Sequence, residues 1–213
     1  MRTHAAVAAT FLFGGAAVAQ VSTFDSDHEG WGILNDASSL SWQGTIGNPA
    51  GSISAVDDGA GILWFFSAPA AYLGDRSAAY GESLSWGILG IIGNQTTLPG
   101  RADVMLVGGG LEIGLSAAVQ PVNGQWTSWA VTLDDSEDWR LITSLSNGTL
   151  GGTSATPAQI QSVLGDLTGL YIRGEYTNVA GDSTALDNVM LIPGPGALPL
   201  LAGAAMLGQR RRR

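Results

Sequence analysis

The sequence predicts an all-β protein, an antiparallel β-sandwich with one short helix. Three observations point there. Short runs of alternating apolar residues recur along the chain, such as Leu111, Ile113 and Leu115, then Trp126 to Leu133. Glycine is abundant, 31 of 213 residues, and gathers with Asn, Asp and Pro at the breaks between runs. Only one segment, Thr156 to Gly165, carries the spacing and end signals of a helix. Many short strands with such turns and a lone helix fit a sandwich.

The elements follow in order. Residues 1–19 read as an export signal: Arg2 and His4 precede the small, apolar run Ala5 to Ala17, and Ala17-Val18-Ala19 fits the cleavage rule. The mature chain then starts near Gln20, and the folded body runs over 20–192. Phe24 and Trp31 anchor two strands around an acidic turn of Asp25, Asp27 and Glu29. Trp42, Ile46 and Ile53 fall in short strands broken by Asn48-Pro49-Ala50-Gly51 and Asp57-Asp58-Gly59. Trp64-Phe65-Phe66 opens a strand, Pro69 to Arg76 a loop, and Tyr80, Leu84 and Trp86 a second strand.

Val104 to Val107 is a strand stopped by Gly108-Gly109-Gly110, read as a turn. It lacks the Lys-Ser/Thr of a phosphate-binding loop and leads into a strand. In the run from Trp126, residues 126, 128, 130 and 132 share one face, and 127, 129, 131 and 133 the other. Asp134 to Leu141 is a solvated acidic loop around a buried Trp139. The helix has Thr156 as N-cap, Pro157 at its first position and Gln159 for a capping box. Leu170, Ile172 and Tyr176 alternate with Tyr171, Arg173 and Glu175, and Leu186 to Leu191 is the last strand.

Net charge is −9, but five of the nine arginines sit at the termini. Between residues 20 and 208 four arginines face 18 acidic residues, a balance of −14. Such a surface repels phosphate backbones and excludes nucleic acid as a partner, while it suits a secreted or calcium-binding protein. No cysteine is present, so disulfides and thiolate metal sites are excluded. His28 is the single histidine of the body. No nucleophile–base pair or spaced carboxylate pair stands out, and the expectation is no enzyme.

The tail, residues 193–213, is distinct. Pro193-Gly194-Pro195 breaks structure, Ala197 to Gly208 is apolar, and Arg210 to Arg213 close the chain. It resembles the PEP-CTERM class of bacterial sorting signals in its Pro-x-Pro form, with Gly194 where the family usually has Glu. That resemblance implies a Gram-negative envelope, transient membrane insertion and an exosortase-type processing enzyme.

The body from Phe24 to Leu191 resembles a laminin B (domain IV) module. The residues that carry this are Phe24-Asp25 with Glu29-Gly30-Trp31, Phe66 to Pro69, Tyr72 to Asp75 and Ala79-Tyr80-Gly81. Further on come Asp103-Val104, Gly108 to Gly110, Trp139, Ile172 to Tyr176 and Leu186 to Val189. The resemblance implies a galactose-binding-like jelly roll and an extracellular, non-catalytic role. It also implies structural Ca²⁺ where the first loop meets the last strand, at Asp25, Asp27 and Asp187.

Two functions follow. One is an exported, envelope-sorted binding module for extracellular polysaccharide or matrix. The other is a structural surface or biofilm protein without a small ligand. For carbohydrate, Trp42 and Trp126 are the candidate exposed rings, since both lie beside Gly, Ser or Gln.

Overall fold

Alternating apolar residues and glycine turns lay the chain out as strands in the computed structural model, which describes residues 18–59, 61–92, 100–117, 119–177 and 181–194. The strands are β1 (Gln20–Ser22), β2 (Gly32–Leu34), β3 (Ala37–Gly47), β4 (Ala50–Asp57), β5 (Phe65–Ser67), β6 (Ser83–Ile92) and β7 (Val104–Gly108). They continue with β8 (Leu111–Leu115), β9 (Trp126–Thr132), β10 (Arg140–Ser144) and β11 (Thr149–Ser154), then helix α1 (Pro157–Gly165), β12 (Leu167–Arg173) and β13 (Ser183–Leu191).

Two antiparallel sheets result, and the expected β-sandwich is the observed fold. One sheet has the order β3-β4-β13-β6-β9, with β1 also on β13; the other runs β11-β10-β8-β7-β12-β5-β2. The core lies between them and holds Trp31, Trp64, Trp86 and Trp139, each buried. No helix among the described residues is long and apolar enough to cross a membrane. Residues 1–17, Pro195 and the apolar and arginine segments of the tail lie outside the described residues.

Local chemistry explains the turns. Gly109 and Gly110 both take positive φ, 54° and 73°, between the paired residues Gly108 and Leu111. This is the backbone that a two-residue hairpin needs. A Cβ on Gly108 or Gly109 would also collide with Val163, Asp166 and Ser162, so the glycines let α1 seat on the hairpin. The helix begins as read: Thr156 and Gln159 form the reciprocal capping box, with Pro157 at the first position. Its buried face is Ile160, Val163 and Leu164.

The segment between Trp64 and Trp86 ties the first loop to the last strand. Two 3₁₀ turns, at Ala70–Tyr72 and Ser77–Ala79, carry the chain from β5 to β6. Asp75 accepts from the Ser77 N–H at 2.9 Å, and Arg76 Nε donates to the Tyr72 carbonyl at 3.0 Å. Tyr72 then sits edge-on to Trp31 at 5.4 Å, and Trp31 edge-on to Phe24 at 6.1 Å. The Tyr72 hydroxyl donates to the Val189 carbonyl at 2.9 Å and lies 3.0 Å from Ser22 Oγ, which also accepts from Trp31 Nε1 at 3.0 Å.

Arg173 and Glu175, which alternate in sequence with Leu170, Ile172 and Tyr176, are buried as well. Arg173 meets Asp103 at 3.5 Å, and its guanidinium lies 4.6 Å from the Tyr176 ring centre. Burial pushes the Glu175 carboxyl up to about 8, and the charges of Asp57, Asp182 and Asp36 add to this.

The hydroxyl knot makes a testable point. Tyr72→Phe removes the hydroxyl's contacts with the Val189 carbonyl and Ser22 and lowers stability by about 0.5–1.5 kcal/mol, read from urea unfolding. A change below a few tenths would mean that the knot carries no stability.

Candidate functional site

β9 closes one edge of the six-stranded sheet, and a trough runs beside it. Its first part, about 360 Å³, is lined by Ser116, Ala117 and Val119 on one side and by Ser128, Trp129 and Glu137 on the other. A second cleft of about 240 Å³ shares Ser116 and Asp138 with the first and adds Gly100, Arg140 and Leu150. Together they reach the size range of small-molecule sites.

The walls are fixed from inside. Asp103 is buried, and its Oδ2 accepts from the Ala117 N–H at 2.7 Å and from Ser116 Oγ at 3.3 Å. Its Oδ1 faces Arg173 Nη1 at 3.5 Å. Burial raises the Asp103 carboxyl, and the Arg173 charge opposes that rise. Across the trough, Trp129 Nε1 donates to the Val119 carbonyl at 2.9 Å, and its ring stacks on Trp86 at 5.8 Å.

The rim is charged. Asp138 Oδ2 accepts from Arg140 Nε at 2.8 Å and Nη2 at 2.7 Å. These hydrogen bonds hold the Asp138 carboxyl below the usual carboxylate range. It remains an ionised acceptor near neutral pH and is unsuited to general-acid work. The trough thus offers serine hydroxyls, fixed carboxylate acceptors and one guanidinium.

Trp126 stands on the outward row of β9 with Ser128 and Ala130, as the alternation predicted. Its ring lies over Gly87, where a Cβ would come within 3.5 Å of it. Trp42 is elsewhere. It pairs with the core residue Ile53, so it faces the opposite side of the sheet, on the far edge strand β3. Its indole N–H donates to the Phe24 carbonyl at 2.6 Å, although the side chain is 42% exposed. The two rings therefore do not form one platform.

The expected cation ligands lie in the first loop and on the last strand. Asp187 is buried and accepts from Asn48 N at 2.8 Å and Asn188 N at 2.6 Å. Asp27 accepts from Glu29 N at 2.6 Å, and Asp25 is exposed. Burial raises the Asp187 carboxyl, and Asp25 and Glu29 lie near enough to add to that. Among the described residues, the group whose carboxylate oxygens lie within 4.8 Å of one another is a different one, Asp36, Asp57 and Asp58. In the tail, Gly194 N donates to the Ala78 carbonyl at 2.6 Å, so the chain leaving β13 stays against the 3₁₀ turns.

A family model for Laminin B (Domain IV) matches residues 65–194. The chain belongs to the laminin B (domain IV) family. Laminin subunit gamma-1 of Xenopus tropicalis is 28% identical over 180 residues, 83% of this chain. That of Danio rerio is 30% identical over 182 residues, 82% of this chain. This laminin B chain spans about a tenth of the length of either relative. Among solved structures, the L4b domain of human laminin alpha-2 superposes with a TM-score of 0.57 at 18% identity, covering 71% of this chain and 84% of that one. An exo-beta-agarase superposes with a TM-score of 0.55 at 15% identity, over 81% of this chain and 24% of that one. At these identities the superpositions establish the fold of the laminin B body.

Sequence reasoning read residues 134–141 as a solvated loop and missed their place on the trough rim. Nothing in residues 115–119 signals the opposite wall. The Asp103–Arg173 pair supplies the test of that wall. Asp103→Ala leaves the Arg173 guanidinium buried without a counter-charge and costs about 3–5 kcal/mol in denaturant unfolding. A loss under about 1 kcal/mol would show that the wall is held by other contacts.

Proposed function

We propose that this laminin B domain is a non-catalytic binding module for a neutral extracellular polysaccharide. The observation that carries this is the trough along the β9 edge. Ser116, Ser128, Glu137 and Asp138 line it, with Trp126 on the same outward row of β9. Hydroxyls and fixed carboxylates match the donors and acceptors of sugar hydroxyls, and a half-buried indole offers a stacking face. The −14 balance of the body disfavours sulfated or uronic polymers.

The leader-like residues 1–19 and the laminin relatives support action outside the cell. Residues 193–213 fit a sorting tail for an exosortase-type enzyme in a Gram-negative envelope.

A glycan array with the full chain tests the reading. Saturable binding to neutral polysaccharides is expected, and Trp126→Ala should weaken it about tenfold, the equivalent of about 1.4 kcal/mol. Trp42→Ala should leave it unchanged, since Trp42 lies on the opposite face and edge. Silence across the array would favour a structural coat protein instead.

A further inference from the structure

A second polar centre lies away from the trough. Asp36 lies between β2 and β3, Asp57 and Asp58 lie at the end of β4, and Glu175 and Asp182 lie in the link from β12 to β13. Backbone hydrogen bonds hold these segments together: Asp58 N to Asp36 O at 3.0 Å, Asp57 N to Asp182 O at 2.9 Å, and Gly181 N to Asp57 O at 3.1 Å. Carboxylate oxygens of Asp36, Asp57 and Asp58 fall within 4.8 Å of one another. Two oxygens on one Ca²⁺, each at about 2.4 Å, can be no farther apart than about 4.8 Å.

Acid clusters are common on protein surfaces, but this one extends inward. Glu175 is 7% exposed and Asp182 3%. In two of the carboxylates one oxygen is occupied by donors. Asp36 Oδ2 accepts from Ile62 N at 3.0 Å, and Asp182 Oδ2 from Thr177 N at 3.3 Å and Thr177 Oγ1 at 3.1 Å. The other oxygen of each, Asp36 Oδ1 and Asp182 Oδ1, and Glu175 Oε2 as well, are buried with no hydrogen-bond partner. Such atoms are costly to bury. Among the groups near Glu175 are the carboxylates of Asp57, Asp182 and Asp36.

We propose that this cluster is a calcium site, with Asp36, Asp57 and Asp58 as direct ligands and Glu175 and Asp182 closing it from the buried side. The donor set is all oxygen and comes from three separate segments. That suits Ca²⁺, which accepts six to eight oxygens in flexible geometry, better than Mg²⁺, which demands a near-ideal octahedron. The ion would cross-link the β2–β3 junction, the end of β4 and the start of β13. In a chain without cysteine it takes the place of a covalent staple.

The test uses the full chain stripped with EDTA, titrated with CaCl₂ by calorimetry and followed by thermal melting. A hundredfold excess over Kd should raise the wild-type Tm by about 5–10 °C. The isosteric variants Asp36→Asn/Asp57→Asn and Glu175→Gln should each lose one calcium equivalent and most of that rise. Their calcium-free Tm should match or exceed the wild type, because the amides relieve repulsion. If the double variant does not fold, Glu175→Gln carries the test. A wild type whose Tm ignores calcium, variants that keep the full stoichiometry, or an equal rise with MgCl₂ would each overturn the assignment.

Discussion

The ion pair between Asp103 and Arg173 is the constraint on which the rest depends. Both side chains are about 1% exposed, and each ion gives up several kcal/mol of hydration to be there. Stability alone is a weak reason for such a pair, since apolar replacements of the same volume are often as good. Its geometry offers another reason. Asp103 extends to Ala117 and Ser116 on the trough wall, while Arg173 donates through Nε to the Glu175 carbonyl. The Arg173 N–H also donates to the Asp103 carbonyl at 2.9 Å, which sets the register where β12 runs beside β7. One buried pair thus positions both the outer groove and the inner carboxylate centre.

The two sheets differ in what their outer faces can do. The seven-stranded sheet carries a second apolar cluster of Leu63, Phe65, Ala102 and Met105, packed under Leu145 and Leu150. Gly148 permits this cover: it takes φ 53°, and a Cβ there would meet the Phe65 ring at 2.8 Å. The outward row of the six-stranded sheet is polar instead. Gln43 donates to Ser41 at 2.9 Å and to Ser54 at 3.0 Å, and Trp126 and Ser128 continue the row on β9. The seven-stranded sheet is closed by its own apolar residues, whereas the six-stranded sheet presents polar groups towards its β3 and β9 edges.

What could be read from the sequence was local. The capping box at Thr156, the hairpin glycines after Val107 and the two faces of β9 each depend on neighbours within a few residues, and all appear as expected. The burial of Arg173 could not be read in this way, because its partner is distant in the chain. Asp103 lies 70 positions from Arg173, and alternation says nothing of a charge neutralised across the fold. Exposure was legible for Trp42, yet its face was not, because β3 and β9 end up on opposite edges only through the order in which strands pair. The trough has the same origin: Arg140 pairs with Gly114, which brings the acidic loop beside the end of β8.

The pairing of β1 with β13 has a mechanical side. Gln20 lies opposite Leu191 and Ser22 opposite Val189, so the body's first and last strands leave the fold side by side at one corner. A load applied between these ends opens the antiparallel ladder one rung at a time, as a zipper opens, and does not shear all rungs together. The peel then meets Ser22, where Tyr72 and Trp31 converge on one hydroxyl. Under such a load the β1–β13 corner frays first, while the groove on the β9 edge, separated from β1 by β13 and β6, is shielded from the pull.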